Sequence, residues 1–202
     1  MLLKLINYKE LNLVKLFFIK IILLIFFLSN FHYLSINGQE IIIKDSSLNF
    51  PANEAILILP GFGDSKKGRI NQKIFFQQKG YDLFIPKYKD NKSINNCVEN
   101  LNQFYQKNNL KKYDKIHVFA YIIGSWTLNK FLKKYEKKNI YSIVFDRSPT
   151  QERAPFIASK KLKFIILIMG LKKIMNEMAI TPYPSLKKNN TKIGIIIENK
   201  AT

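Results

Sequence analysis

Few side chains in this 202-residue chain are equipped for chemistry, and their types narrow it quickly. A hydroxyl nucleophile needs a base within hydrogen-bond reach to take its proton, most often a histidine. The chain has two histidines, His32 and His117, and one cysteine, Cys97. A single cysteine excludes an internal disulfide framework and has no second cysteine with which to build a metal site. No metal and no cofactor are expected. The other signal is arginine. Only Arg69, Arg147 and Arg153 stand among 33 basic residues, and two of them fall in the run Asp146-Arg147-Ser148-Pro149-Thr150-Gln151-Glu152-Arg153. A guanidinium is a planar fork that grips a carboxylate or phosphate through two parallel hydrogen bonds, which an ammonium cannot do. Two readings of this run stand side by side. It is an anion-binding loop, or an internal network in which Arg147 and Arg153 pair with Asp146 and Glu152.

The overall charge says less. Lys plus Arg total 33 against 14 Asp plus Glu, a formal charge of +19, and clustering would turn that excess into a preference for anionic partners. The lysines are instead scattered among Ile and Asn, the mixture that A+T-rich codons produce. Nucleic acid is therefore not an expected partner. At 47% hydrophobic and 23% charged residues, a disordered chain or a disulfide-stapled miniprotein is excluded, and one ordinary domain is expected.

The elements that must position these residues begin after a leader. Lys4, Lys9 and Lys15 precede the unbroken apolar run Ile21 to Leu28, which Ser29 and Asn30 close. That order is a secretory signal, and the run falls short of the roughly 20 residues a membrane-spanning helix needs. Residues 1–38 are expected to be a signal peptide or signal-anchor and residues 39–202 the folded domain. The protein is then exported or membrane-tethered, in the cell envelope or outside the cell.

Beyond Gln39, short apolar runs predict strands at Glu40–Lys44, Ala55–Leu59, Tyr81–Ile85, Lys115–Ala120, Ile140–Phe145 and Lys192–Ile197, mostly of a composition that suits cover on both faces. Between them Ile70, Ile74 and Phe75 mark a helix that Gly80 ends. Ile94, Val98, Leu101 and Tyr105 mark a second, with Ser93 as its N-cap, and Leu128, Phe131, Leu132 and Tyr135 a third. The alternation predicts an α/β fold with a doubly wound, mostly parallel sheet, whose ligands lie beyond the carboxyl ends of the strands.

Two loops at that edge stand out. One strand runs into Pro60-Gly61-Phe62-Gly63-Asp64-Ser65, and another into Ala120-Tyr121-Ile122-Ile123-Gly124-Ser125-Trp126. Together they resemble the α/β-hydrolase superfamily. Its nucleophile elbow is a strand-to-helix turn with small residues on either side of an exposed nucleophile. Ala120 and Gly124 occupy the small positions, and the residue between them is Ile122, which has no lone pair with which to attack and no proton to give up. Ser125 is the alternative nucleophile, but a turn centred there would place β-branched Ile123 and Thr127 at the small positions. Its other reading is a first-turn helix residue that satisfies backbone N–H groups.

The resemblance also implies an acid and then a histidine late in the chain. His32 lies within or just after the leader and His117 in the strand before the elbow, so neither fits that order, and the domain is expected to stop short of a complete hydrolase. What the resemblance leaves is an oxyanion hole from the backbone N–H groups of Phe62 and Ile123. The expected function is an α/β-hydrolase-like protein, inactive as a pseudoenzyme or truncated copy, that keeps a pocket for a small acyl or anionic ligand or a partner. The alternatives are an active ester or lipid hydrolase working through Ser125, and an envelope adaptor. A last segment, Phe164–Leu171, is apolar and flanked by Lys160, Lys161, Lys163, Lys172 and Lys173. It is read either as a helix packed on the sheet or over the site, or as an interfacial helix on a membrane surface.

Overall fold

A computed structural model describes residues 19–20, 40–44, 53–62, 66–146, 154–186 and 191–196. The chain divides into two compact units, Met1–Ser35 and Ile36–Thr202. In the first, Ile19 and Lys20 are helical, and the rest of the expected leader lies outside the described residues. Among the described residues no helix is long and apolar enough to cross a membrane.

The second unit contains the sheet. In chain order its elements are β1 (Ile41–Ile43), β2 (Glu54–Leu59), α1 (Lys66–Gln77), β3 (Asp82–Ile85), α2 (Ile94–Lys107), β4 (Lys115–Tyr121), α3 (Ile123–Tyr135), β5 (Ile140–Asp146), α4 (Ala154–Lys161), α5 (Lys163–Ile168), α6 (Lys172–Ile180) and β6 (Lys192–Ile196). The six strands lie in the order β1-β3-β2-β4-β5-β6. β1 is antiparallel to β3, and every other neighbouring pair is parallel. The sheet therefore grows one way from β2 to β3 and the other way from β2 to β4. In open α/β sheets such a reversal, at the carboxyl ends of the strands, is the place where ligands lie.

Cover on the two faces is uneven, which corrects the expectation of strands buried on both sides. β2 and β3 are buried nearly throughout, between a large cluster on one face and Ile56, Ile58, Leu83 and Ile85 on the other. β4 instead alternates buried with half-buried residues, and all of β6 is exposed. The physical reason lies in the helices. Phe76 of α1 packs on the smaller cluster, whereas the first turns of α2 and α3, with α6, fill the larger one through Ile94, Cys97, Trp126, Ile174 and Met178.

The helix boundaries follow local chemistry. Ser93 caps α2 by accepting a hydrogen bond from the Asn96 N–H at 3.1 Å, and Ile94, Val98, Leu101 and Tyr105 all face inward. Gly80, at φ 76°, closes the turn that follows α1. The inward face of α1 differs from the expected one, because Ile70, Ile74 and Phe75 are exposed. Arg69, only 2% exposed, Gln72 and Phe76 face the sheet instead, with Gln72 reaching the Tyr121 hydroxyl and Phe76 tilted against Phe119 at 5.4 Å. Apolar spacing places a helix but does not choose its inner face when a long arginine can bury its stem.

One contact fixes α3 against the sheet. A Cβ added to Gly124 would lie 2.4 Å from the Leu59 carbonyl oxygen and 2.9 Å from the Leu59 Cβ. Both obstacles belong to the rigid end of β2, so the helix would have to back away. Gly124→Ala is expected to lose about 3 kcal/mol, read as a lower urea midpoint at unchanged slope.

Candidate functional site

The site is built where β4 hands over to α3. Ile122 has φ 47° and ψ −104°, a left-handed backbone that is a true outlier for a β-branched residue and costs about 1–3 kcal/mol. Residues are held in such a conformation when their surroundings over-determine it, and here four contacts do so. The Ser125 N–H donates to the Ile122 carbonyl at 3.2 Å, and the Ser125 hydroxyl donates to the same oxygen at 2.6 Å. Gly124 sits under Leu59 as described. Gly61, in the loop after β2, comes so near that a Cβ there would meet the Tyr121 carbonyl oxygen at 2.9 Å and the Ile122 Cβ at 3.2 Å.

The structure thus brings four of the expected site residues together, Phe62, Ile122, Ile123 and Ser125. Ile123 opens α3, where first-turn N–H groups have no acceptor within the helix. Phe62 is half-buried and packs against the main core. Ser125 is fully buried, and its hydroxyl donates to a carbonyl, where the sequence suggested that it would serve N–H groups. Arg147, Arg153, Gly63, Asp64, Ser65 and His32 lie outside the described residues.

Sequence reasoning missed Tyr88 and Lys89, in the loop after β3. The Tyr88 hydroxyl donates to the Pro60 carbonyl at 2.6 Å, and the Lys89 ammonium donates to the Gly61 carbonyl at 3.0 Å. A half-buried cation therefore stands on the loop that presses against the turn. One lysine among so many carries no local mark, and only the β2–β3 pairing brings it there. Asp146, the last residue of β5, lies level with Tyr121 in the β4–β5 register and sets a carboxylate at the same edge.

His117 lies on β4, five residues before Ile122, about 16 Å away at strand rise. It meets Ser142 through Nδ1 at 2.7 Å and Glu54 through Nε2 at 3.0 Å, so it is a satisfied strand histidine. Among the described residues no histidine reaches the turn, and no group of three His, Cys, Asp or Glu side chains is gathered that could hold a metal ion. A groove of about 200 Å³ between α2 and α3 is lined by Asn95, Val98, Glu99 and three lysines, none of them in the carboxyl-edge loops.

No protein-family model matches the chain, and no curated protein matches it by sequence. Among solved structures it is similar to a putative aryl esterase from Burkholderia cenocepacia, at 12% identity and a TM-score of 0.48 over 77% of this chain and 72% of that one. It is also similar to a lipase-esterase related protein from Clostridium acetobutylicum, at 11% identity and a TM-score of 0.43 over 64% and 57%. A bromoperoxidase from Bacillus anthracis is similar at 12% and 0.40 over 48% and 38%. The matched part of this chain thus spans 57% and 38% of the length of the last two. The strand order, the parallel pairing and the strained turn between Ala120 and Gly124 define an α/β-hydrolase-like fold.

The network at the opposite strand ends has a measurable signature. The Glu54 carboxyl is held below its ordinary value of 4.5, chiefly by the hydrogen bond from Lys115 and next by that from His117. A carboxylate with a lowered folded pKa adds stability that is complete above its unfolded pKa and is lost as pH falls through the folded one. In urea titrations between about pH 5 and pH 3 the native chain is therefore expected to lose more stability than Glu54→Gln. Equal acid sensitivity of the two would mean that this half-exposed cluster contributes nothing.

Proposed function

We propose that the chain is an α/β-hydrolase-like binding protein that holds a small acyl or other carboxylate ligand at the carboxyl edge of the sheet and does not turn it over. The observation that carries this reading is Ile122. Its backbone keeps the costly conformation that displays a side chain above an α/β sheet, but the displayed side chain has nothing to donate or attack with. Replacing a side chain leaves backbone donors in place, and the proposed donors are the N–H groups of Phe62 and Ile123. Lys89, bound to the Gly61 carbonyl, supplies the positive charge that a carboxylate needs. In this reading Arg147 and Arg153, which follow β5 in the sequence, add to it.

The buried Ser125 supports the absence of turnover, since its hydroxyl is committed to the Ile122 carbonyl and no histidine among the described residues reaches it. A serine-reactive phosphonate is expected to leave the purified protein unlabelled, and stoichiometric labelling at Ser125 would reinstate an active hydrolase. Titration calorimetry with octanoate as the probe is expected to show binding that Lys89→Gln weakens about tenfold, the scale of one charge-assisted hydrogen bond. Binding by Lys89→Gln as tight as by the native chain would sink the proposed site. Ile122→Ser is expected to introduce a hydroxyl without esterase activity, because no histidine among the described residues reaches the turn.

A further inference from the structure

The three helices after β5 are anchored unevenly. α6 is held firmly, with Ile174, Met175 and Met178 buried. Its Glu177 accepts a hydrogen bond from the first N–H of α2 at 2.9 Å and pairs with Lys130 of α3 at 3.3 Å. α4 and α5 bury far less. Phe156, Ile157, Leu162, Phe164, Ile165 and Leu167 are all exposed, Phe164 by 64% and Leu167 by 60%, while Ile166 alone of α5 is buried. Six large apolar side chains exposed within twelve residues are more than the scattered exposure of an ordinary surface, and such clusters mark contact surfaces.

The charges around the patch identify its occupant. Residues 154–173 contain Lys160, Lys161, Lys163, Lys172 and Lys173 and no acidic residue. Lys160 places its ammonium 4.3 Å above the Phe156 ring, so cation and aromatic face occupy one level, as they do at a membrane–water boundary. α4 and α5 have eight and six residues, too short to cross a bilayer but long enough to lie in its surface. A second copy of the chain is a poor fit, because a two-fold contact would set the same lysines against one another.

We propose that α4, α5 and the turn between them form a docking surface for an anionic phospholipid leaflet. Phe164 and Leu167 enter the acyl boundary, and the flanking lysines remain among the headgroups. This surface is independent of the ligand reading above, since it uses none of Phe62, Lys89, Ile122 or Ile123.

The test needs a local signal, so that a response is assigned to α4 and α5 and not to the apolar run Ile21 to Leu28 of the full chain. Full-length Leu167→Cys, labelled with an environment-sensitive fluorophore, provides one. Cys97 stays unlabelled, being buried with its thiol pushed up to about 11. A matching label at Lys111→Cys, in the turn before β4, is the control. Vesicles of phosphatidylcholine with about one-third phosphatidylserine are expected to shift the position-167 emission to the blue and leave position 111 unchanged. Phosphatidylcholine alone should give little shift. Replacing Lys160, Lys161 and Lys163 together by glutamine should weaken the response about a hundredfold. If the chain sediments with vesicles while position 167 stays unshifted, or if both positions respond alike, the surface is not the membrane contact. A shift that needs only higher protein concentration and no lipid would assign the patch to self-association and overturn the proposal.

Discussion

The closeness of the β4–α3 turn to the ends of β2 and its loop is the constraint that the rest of the structure obeys. Gly124 admits the Leu59 carbonyl where any side chain would collide, and Gly61 does the same for the Tyr121 carbonyl. With helix and loop clamped from both sides, the peptide at Ile122 has no room for a relaxed backbone and takes φ 47°. The strain is therefore a product of packing between neighbouring strands, set by the backbone of Leu59, Gly61 and Gly124. This separates the two things a nucleophile elbow does. The fold supplies the shape, and the side chain alone supplies the reactivity.

The same clamp organises the surrounding loops. Tyr88 ties the β3 loop to Pro60, and Lys89 ties it to Gly61, so the loops of three neighbouring strands meet at one place. α6 is stitched to the two helices on that side by a single carboxylate, Glu177, which serves the N–H at the start of α2 and the ammonium of Lys130. A negative charge at a helix start is favourably placed against the helix dipole. Trp126 of α3 meets Tyr183 edge to face, and Asn129 donates to the Pro184 carbonyl, which pins the segment after α6 to the helix that follows the turn.

Much of the fold was legible in the sequence because its signals are local. Six apolar runs became six strands, and Ser93 announced the start of α2 through a cap that needs only its own neighbours. The turn at Ile122 was legible only indirectly. Isoleucine by itself argues against a left-handed backbone, and the small residues two places to either side gave it away. What could not be read depends on contacts between distant segments. The inner face of α1 is set by Phe119 and Tyr121 of β4 rather than by its own apolar spacing. Lys89 matters through its carbonyl partner on another loop. The bareness of β6 follows from which helices reach it, not from its composition. The net charge of +19 singles out no surface, because exposed lysines are spread along the whole described chain.

The pairing of β2 with β4 also sets when this site can exist during folding. Glu54 and Lys115 bond across 61 positions of chain, and α1, β3 and α2 all lie between them. Closing so long a loop costs entropy before any contact returns it, and parallel sheets built this way fold slowly for that reason. The left-handed peptide at Ile122 is imposed only by neighbours that this closure delivers. Until then the segment is free to adopt the ordinary extended or helical backbone that isoleucine prefers. The geometry of the turn is thus a property of the closed sheet and not of the local sequence.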